Sequence, residues 1–201
     1  MPANAQSLAV ADPTLAAIIS QIPEPKVVST MNVFQDLLSC IIEQQIHYRS
    51  TKKIFERMLK RADITILTTD NFEQFEEKAL VHIKVSLRKL ETVVAVVDFF
   101  KENSVDWNSL SDQQVRKKLS AIRGIGDWTI DMILLYTLNR PNIFPADDFH
   151  LKELMIRLYG LNAATKLKAQ MMEIAEKWSP NKSLAVKYLL GWKEFQKQKG
   201  K

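Results

Sequence analysis

The sequence predicts an all-α fold, and three observations carry that prediction. Apolar residues recur every three to four positions in most segments that hold them, the period of a helix with a buried face. Only 5 glycines and 7 prolines interrupt 201 residues. Ile64-Thr65-Ile66-Leu67 reads as a strand, but it has no second strand to pair with, so it is assigned to a connection. A chain of this length, 46% apolar and 25% charged, can bury a core as one domain or as two small lobes.

The elements follow in order. The first is short, centred on Leu15, Ile18 and Ile19, and stops before the breaker Pro23-Glu24-Pro25. Phe34, Leu37, Leu38, Ile41 and Ile42 sit at i, i+3, i+4, i+7 and i+8 and predict a helix with one buried face. That helix runs into Glu43-Gln44-Gln45-Ile46, and Ile54, Phe55, Met58 and Leu59 mark the next one. Residues 62–83 are a connection with a helical turn from Phe72 to Lys78. Ser86 to Phe100 places Leu87, Leu90, Val93, Val94 and Val97 at helical spacing, a period that persists too long for a strand despite the valines. Ser111 followed by Gln114 is a capping-box pattern that starts the helix leading to residue 120. A helix beginning at Asp148, with Asp147 as its cap, carries Leu151, Leu154, Met155 and Leu158 on one face until Gly160 ends it. Another helix runs to Trp178, Ser179-Pro180-Asn181-Lys182-Ser183 breaks and restarts the chain, and Lys193 to Lys201 reads as a frayed, solvated tail.

The stretch from Leu119 to Leu151 concentrates the chemistry. An apolar helix end (Leu119, Ile122) enters the tight turn Gly124-Ile125-Gly126, a second apolar segment follows, and a proline-led loop delivers Asp147 and Asp148. Glycines there admit positive φ and bare backbone, so N–H groups can approach a ligand closely. Where such a turn opens a helix, it suits an anion, most simply a phosphate. Arg116, Lys117, Lys118 and Arg123 crowd the same element. A downstream carboxylate cannot itself bind phosphate; bond cleavage beside the held phosphate is its natural task.

Composition bounds the rest. A net charge of +5 is compatible with a polyanionic partner without demanding one. Cys40 is the single cysteine, which excludes an intrachain disulfide and a cysteine-held iron–sulfur or zinc site. No apolar run approaches the roughly 18 residues of a membrane span, and the N-terminus lacks a secretory pattern. An intracellular, soluble protein is expected, cytoplasmic in a bacterium.

Leu119 to Met132, with its apolar-Gly-apolar-Gly core, resembles a helix-hairpin-helix, and Pro145 to Asp148 resembles the Pro…Asp end of the helix-hairpin-helix/GPD DNA glycosylase superfamily. Within it the likeness is to the DNA-3-methyladenine glycosylase II branch, which repairs alkylation damage. It covers roughly Asn32 to Phe195, with strong motifs only at 37–46 and 119–151. The resemblance implies two helical lobes flanking a DNA-binding cleft within a single unit over residues 1–201. Residues 31–110 form its wedge-bearing part, 111–160 the hairpin and catalytic loop, and 161–201 the closing helices.

The same resemblance assigns roles. Gln45, with Gln44 beside it, matches the side chain that fills the gap left by an everted nucleotide; two surface amides are the plain alternative. Arg123, Gly124, Ile125 and Gly126 match the DNA-holding hairpin, whose carbonyls share a monovalent cation, Na+ or K+, in the family. Trp128 stands where bifunctional members carry a Schiff-base lysine, which implies a monofunctional enzyme that uses water. An aromatic there lines the base pocket and attracts a cationic methylated ring; ordinary core packing is the alternative. Asp148 matches the catalytic carboxylate. Met132 and Leu190 match pocket positions where the family often has aromatics. Val85-Ser86-Leu87-Arg88-Lys89 resembles the family's Gly-x-Ser-x-x-Lys start, with Val85 for glycine, and Lys89 reads as a DNA contact or a solvated side chain. No cofactor and no membrane are implied. The implied partner is damaged double-stranded DNA, bound by a monomer. A glycosylase for a deaminated or mismatched base, and a non-catalytic helix-hairpin-helix module, are the alternatives.

Overall fold

The computed structural model describes residues 2–26, 29–43 and 52–199, and among them the regular structure is helical with no strand. The helices are α1 (Ala3–Ala11), α2 (Pro13–Ile19), α3 (Val33–Glu43), α4 (Lys52–Arg61), α5 (Phe72–Lys78), α6 (Leu87–Glu102), α7 (Asp112–Ser120), α8 (Asp127–Met132), α9 (Phe149–Tyr159), α10 (Leu167–Glu176) and α11 (Lys182–Lys199). The all-α expectation holds. The chain forms two compact units: residues 29–138, and residues 1–28 together with 139–201. No helix of the described residues is long and apolar enough to cross a membrane.

In the unit of residues 29–138, α3 is surrounded by α4, α6, α8 and the π-helical turn Ile133–Thr137. The apolar pattern predicts one buried face, yet every residue from Val33 to Ile41 is buried. Its polar side chains survive burial because they are paired. The Leu67 N–H donates to Gln35 Oε1 at 2.8 Å, and the Thr137 hydroxyl donates to Asp36 at 2.7 Å. Left unpaired, each such buried group would cost about 1–3 kcal/mol. Phe34 and Phe72 join Phe75, Phe99, Phe100 and Trp107 in a set of edge, tilted and stacked ring contacts that fills the unit's core.

Helix α6 corrects the expected face. Thr92, Val93, Val96 and Val97 are buried, whereas Leu87, Leu90 and Val94 are exposed. The period is right but the helix is rotated, because α3 packs on α6 and the valine stripe supplies its buried side. Lys89 takes a structural role: its ammonium donates to the Ile42 carbonyl at 3.2 Å, near the end of α3, and burial pushes its pKa down.

In the other unit, α11 packs on α1, α2 and α9. Asp12 caps α2 and is buried. Its Oδ1 accepts from the Thr14 and Leu15 N–H groups at 2.8 and 3.1 Å. Its Oδ2 accepts from the Tyr159 hydroxyl at 2.9 Å and the Trp178 indole N–H at 2.8 Å. One carboxylate thus ties the start of α2 to the end of α9 and to the segment after α10. The expected frayed tail is not observed: α11 continues to Lys199. Trp192 stacks on Phe195, and Lys193 donates to Glu153 at 2.7 Å, which joins α11 to α9.

Asp12→Ala leaves the two side-chain donors without their acceptor and should cost about 3 kcal/mol, read as a lower urea midpoint. Tyr159 is held above its ordinary pKa of 10.0, first by burial and then by the Asp12 charge. Above pH 10 the unfolded chain therefore loses this proton while the folded chain keeps it. Stability is full below pH 10, falls as pH rises beyond it, and falls less steeply in Tyr159→Phe.

Candidate active site

The hairpin is built from α7 inward. The Ser111 hydroxyl accepts from the Gln114 N–H at 3.3 Å and the Gln114 side chain accepts from the Ser111 N–H at 2.8 Å, the capping box the sequence predicts. Val115, Leu119, Ile122 and Ile125 bury the inner stripe. The Arg116 guanidinium donates to the buried Asp131 carboxylate at 2.5 Å and ties α7 to α8. Between the helices, Ile122 N–H donates to Leu119 and Ile125 N–H to Ile122, each at 3.1 Å.

The two glycines serve different ends. Gly124 has φ +89°, and a Cβ there would sit 2.1 Å from the Thr92 hydroxyl oxygen on α6. Both the backbone and the neighbour require glycine. Gly126 is in ordinary extended backbone, φ −102° and ψ 170°, and a Cβ there would meet nothing within 4 Å. Its bareness answers no internal demand and matters only to something arriving from outside. Both glycines are exposed, and among the described residues no oxygen accepts from either N–H. Arg123 beside them is exposed and 3.3 Å from Glu91. Trp128, in the first turn of α8, is half-buried; Met132, one turn on, is fully buried. Helix α8 then passes into the π-helical turn, closed by the Leu138 N–H on the Ile133 carbonyl at 2.9 Å.

The aspartate loop belongs to the other unit. Ser183, in the first turn of α11, fastens it: its hydroxyl donates to the Arg140 carbonyl at 2.5 Å and accepts from the Ile143 N–H at 2.9 Å. Phe144 packs edge-on against Trp178, and the Asp148 N–H donates to the Pro145 carbonyl at 2.9 Å. Asp148 is 8% exposed, and its Oδ1 accepts from the Leu151 N–H at 2.8 Å. This corrects the expectation that Asp147 is the cap. Asp148, not Asp147, is the N-cap of α9, because its extended backbone turns the side chain back onto the third residue of the helix. Asp147 turns outward instead. Lys168 lies 2.7 Å from Oδ2 and Lys152 3.3 Å from Oδ1. The hydrogen bond from Lys168 is the main cause holding the Asp147 carboxyl below the usual range. Two adjacent carboxylates thus have opposite surroundings.

The structure therefore groups Arg123, Gly124, Ile125, Gly126, Trp128 and Met132 in one unit, and Asp148 with Leu190 in the other. Leu190 is half-buried on α11, the helix that packs on α9. Gln44 and Gln45 lie outside the described residues. Sequence reasoning missed Phe149, which directly follows Asp148 and is 65% exposed. The signal was there: Phe149 falls off the Leu151-Leu154-Met155 face, and only the His150 ring meets it edge-on within the helix.

Comparison with known proteins identifies the family. Residues 38–181 match the HhH-GPD superfamily of base excision DNA repair proteins. The chain is 27% identical over 192 residues to YfjP of Bacillus subtilis, spanning 91% of this chain and 66% of that protein. It is 24% identical over 165 residues to DNA-3-methyladenine glycosylase 1 of Schizosaccharomyces pombe, spanning 80% and 71%. Among solved structures, a DNA-3-methyladenine glycosidase from Bacillus halodurans superposes with a TM-score of 0.75 at 26% identity, covering 96% of this chain and 88% of that one.

The glycine pair gives a sharp contrast. Gly124→Ala should destabilise by about 2 kcal/mol or more, from backbone strain plus the Thr92 clash. Gly126→Ala should stay within about 0.5 kcal/mol. Adding Thr92→Ala to Gly124→Ala should recover the clash and leave the strain, a partial rescue readable by denaturant titration.

Proposed function

The chain belongs to the HhH-GPD superfamily of base excision DNA repair proteins, and from that premise we propose that it is a monofunctional DNA glycosylase. It everts alkylated purines of the 3-methyladenine or 7-methylguanine type from double-stranded DNA and hydrolyses the N-glycosidic bond, leaving an abasic site. One observation carries the reading: Asp148, at the position matching the family's catalytic carboxylate, is a buried aspartate at a helix start. The names of the Schizosaccharomyces pombe and Bacillus halodurans relatives support the same chemistry.

The roles follow from charge. Reaction begins with the C1′–N bond breaking, its electron pair moving to the base. A purine nucleotide methylated at ring N3 or N7 is cationic, and its base becomes neutral as it leaves, so no general acid is needed. Positive charge develops on the deoxyribose, and an ionised Asp148 opposes it while orienting a water toward C1′. The Leu151 N–H bond to Oδ1 fixes that carboxylate at the start of α9. Water supplies the new C1′–O bond and its proton passes to Asp148 and on to solvent.

The hairpin's task is to hold the strand. Gly124 and Gly126 present bare N–H groups suited to a phosphate, and Arg123 adds charge. The hairpin's carbonyl oxygens are a fitting donor set for a monovalent cation. The Ile122 carbonyl accepts one hydrogen bond, from Ile125, and keeps a second lone pair. Such an ion would add positive charge beside the phosphate, and the bond-breaking chemistry does not draw on it. Trp128 offers an indole face to a cationic base and cannot form a Schiff base. Gln44 or Gln45 would fill the gap in the duplex.

Release of free base from methylated duplex DNA, separated by chromatography, tests the proposal. Wild type should release 3-methyladenine or 7-methylguanine. Asp148→Asn should fall by about 100-fold or more yet keep its stability within about 0.5 kcal/mol, because asparagine caps a helix as well as aspartate does. Undiminished release by Asp148→Asn would move catalysis to another group. Release only from deaminated or mismatched duplexes would change the lesion and keep the reaction.

A further inference from the structure

Asp147 has no part in the proposed chemistry, yet both of its oxygens are engaged. Lys152 of α9 lies 3.3 Å from Oδ1, and Lys168 of α10 lies 2.7 Å from Oδ2. Three pieces of chain meet at this one carboxylate, and all three side chains are partly exposed. The two ammonium groups thus meet one carboxylate at the surface, in the residue next to Asp148. Exposed pairs of this kind are weak and exchange readily. A phosphodiester offers what this carboxylate offers: one negative charge shared over two oxygens.

We propose that Lys152 and Lys168 are a phosphate-binding pair for DNA engaged at Asp148, and that Asp147 occupies the pair as an internal stand-in for phosphate until DNA displaces it. The proposal rests on the reading of Asp148 as the catalytic group. Asp147 brings the two ammonium groups to one carboxylate, 3.3 and 2.7 Å away. It also competes with the DNA phosphate, and so restrains affinity for the product. A repair enzyme that must leave its abasic product gains from such a restraint.

The test is binding of a labelled duplex carrying a tetrahydrofuran abasic analogue, measured across a salt series. Wild type is compared with Asp147→Asn, with Lys152→Met/Lys168→Met, and with all three substitutions combined. Asp147→Asn should bind several-fold more tightly. The double lysine variant should bind about tenfold or more weakly, with the slope of log affinity against log salt reduced by about 0.9, the value for one phosphate no longer neutralised. The triple variant should bind like the double one, because the effect of Asp147 passes through the lysines.

Three results would overturn the proposal. The first is no tightening in Asp147→Asn. The second is equal tightening when the lysines are absent, which makes Asp147 a mere repellent of DNA. The third is weaker binding with an unchanged salt slope in the lysine variant, which makes the lysines structural. If the double variant melts at a lower temperature, the single variants Lys152→Met and Lys168→Met carry the slope measurement. Base release by wild type is scored separately. Release with unresponsive affinities rejects the lysine pair alone, whereas no release and no salt-dependent binding by wild type rejects the glycosylase reading itself.

Discussion

The contact between Gly124 and Thr92 is the constraint on which the hairpin depends. The turn lies against α6 so closely that the space of a single Cβ is already taken by the threonine hydroxyl. Thr92 is itself fixed, donating to the Arg88 carbonyl at 3.0 Å, and cannot turn that oxygen away without losing the bond. Helix α6 is in turn seated on α3, whose polar residues are locked by Leu67 and Thr137. Positions around Gly126 and Trp128 thus inherit their rigidity from the core of their unit through a short series of packed elements. A phosphate-binding turn gains from this, since N–H groups held in place in advance need not be ordered when the anion arrives.

Two buried aspartates in the other unit show how one capping device can serve two ends. Asp12 caps α2 and divides its remaining capacity between Tyr159 and Trp178, so its charge is satisfied wholly within the core. Asp148 caps α9, but its sequence neighbours Asp147 and Phe149 are exposed. The first is a tie between elements. The second is a buried cap whose sequence neighbours on both sides reach solvent. The difference lies in what surrounds each carboxylate, since both meet a helix N-terminus in the same way.

Much of this was legible in the residues. The capping box at Ser111, the Gly124-Ile125-Gly126 turn and the Gly160 stop each depend on local backbone chemistry, and each appears where the pattern puts it. What was not legible depends on partners distant in sequence. Periodicity identifies α6 as a helix but cannot say which stripe α3 will cover, and Leu87, Leu90 and Val94, which share the helical spacing, face solvent. Polar residues of α3 look like a solvent face until Leu67 and Thr137 supply their hydrogen bonds. Helix α1 escaped notice because only Ala5 and Leu8 are buried, too few to make a stripe. The sequence points to Asp147 as the cap, but the backbone at Asp148 is the extended one, and Asp147 meets Lys152 and Lys168 instead.

Selectivity must then rest on few side chains. On the proposed reading, eversion and hydrolysis use the hairpin, Asp148 and water, all of which act on sugar and phosphate and are indifferent to the base. Met132 is fully buried and Leu190 is aliphatic, so neither offers an aromatic face. Trp128 is the aromatic that remains at the matched pocket positions, with Phe149 exposed beside Asp148. An indole face attracts a cationic ring and gives a neutral one only dispersion and hydrophobic contact. On that reading, recognition through Trp128 would discriminate less by the shape of the lesion than by its charge. Discrimination is reinforced by the chemistry, since a cationic purine also leaves without protonation. On the proposed reading, binding and bond cleavage would then select the same property of the base.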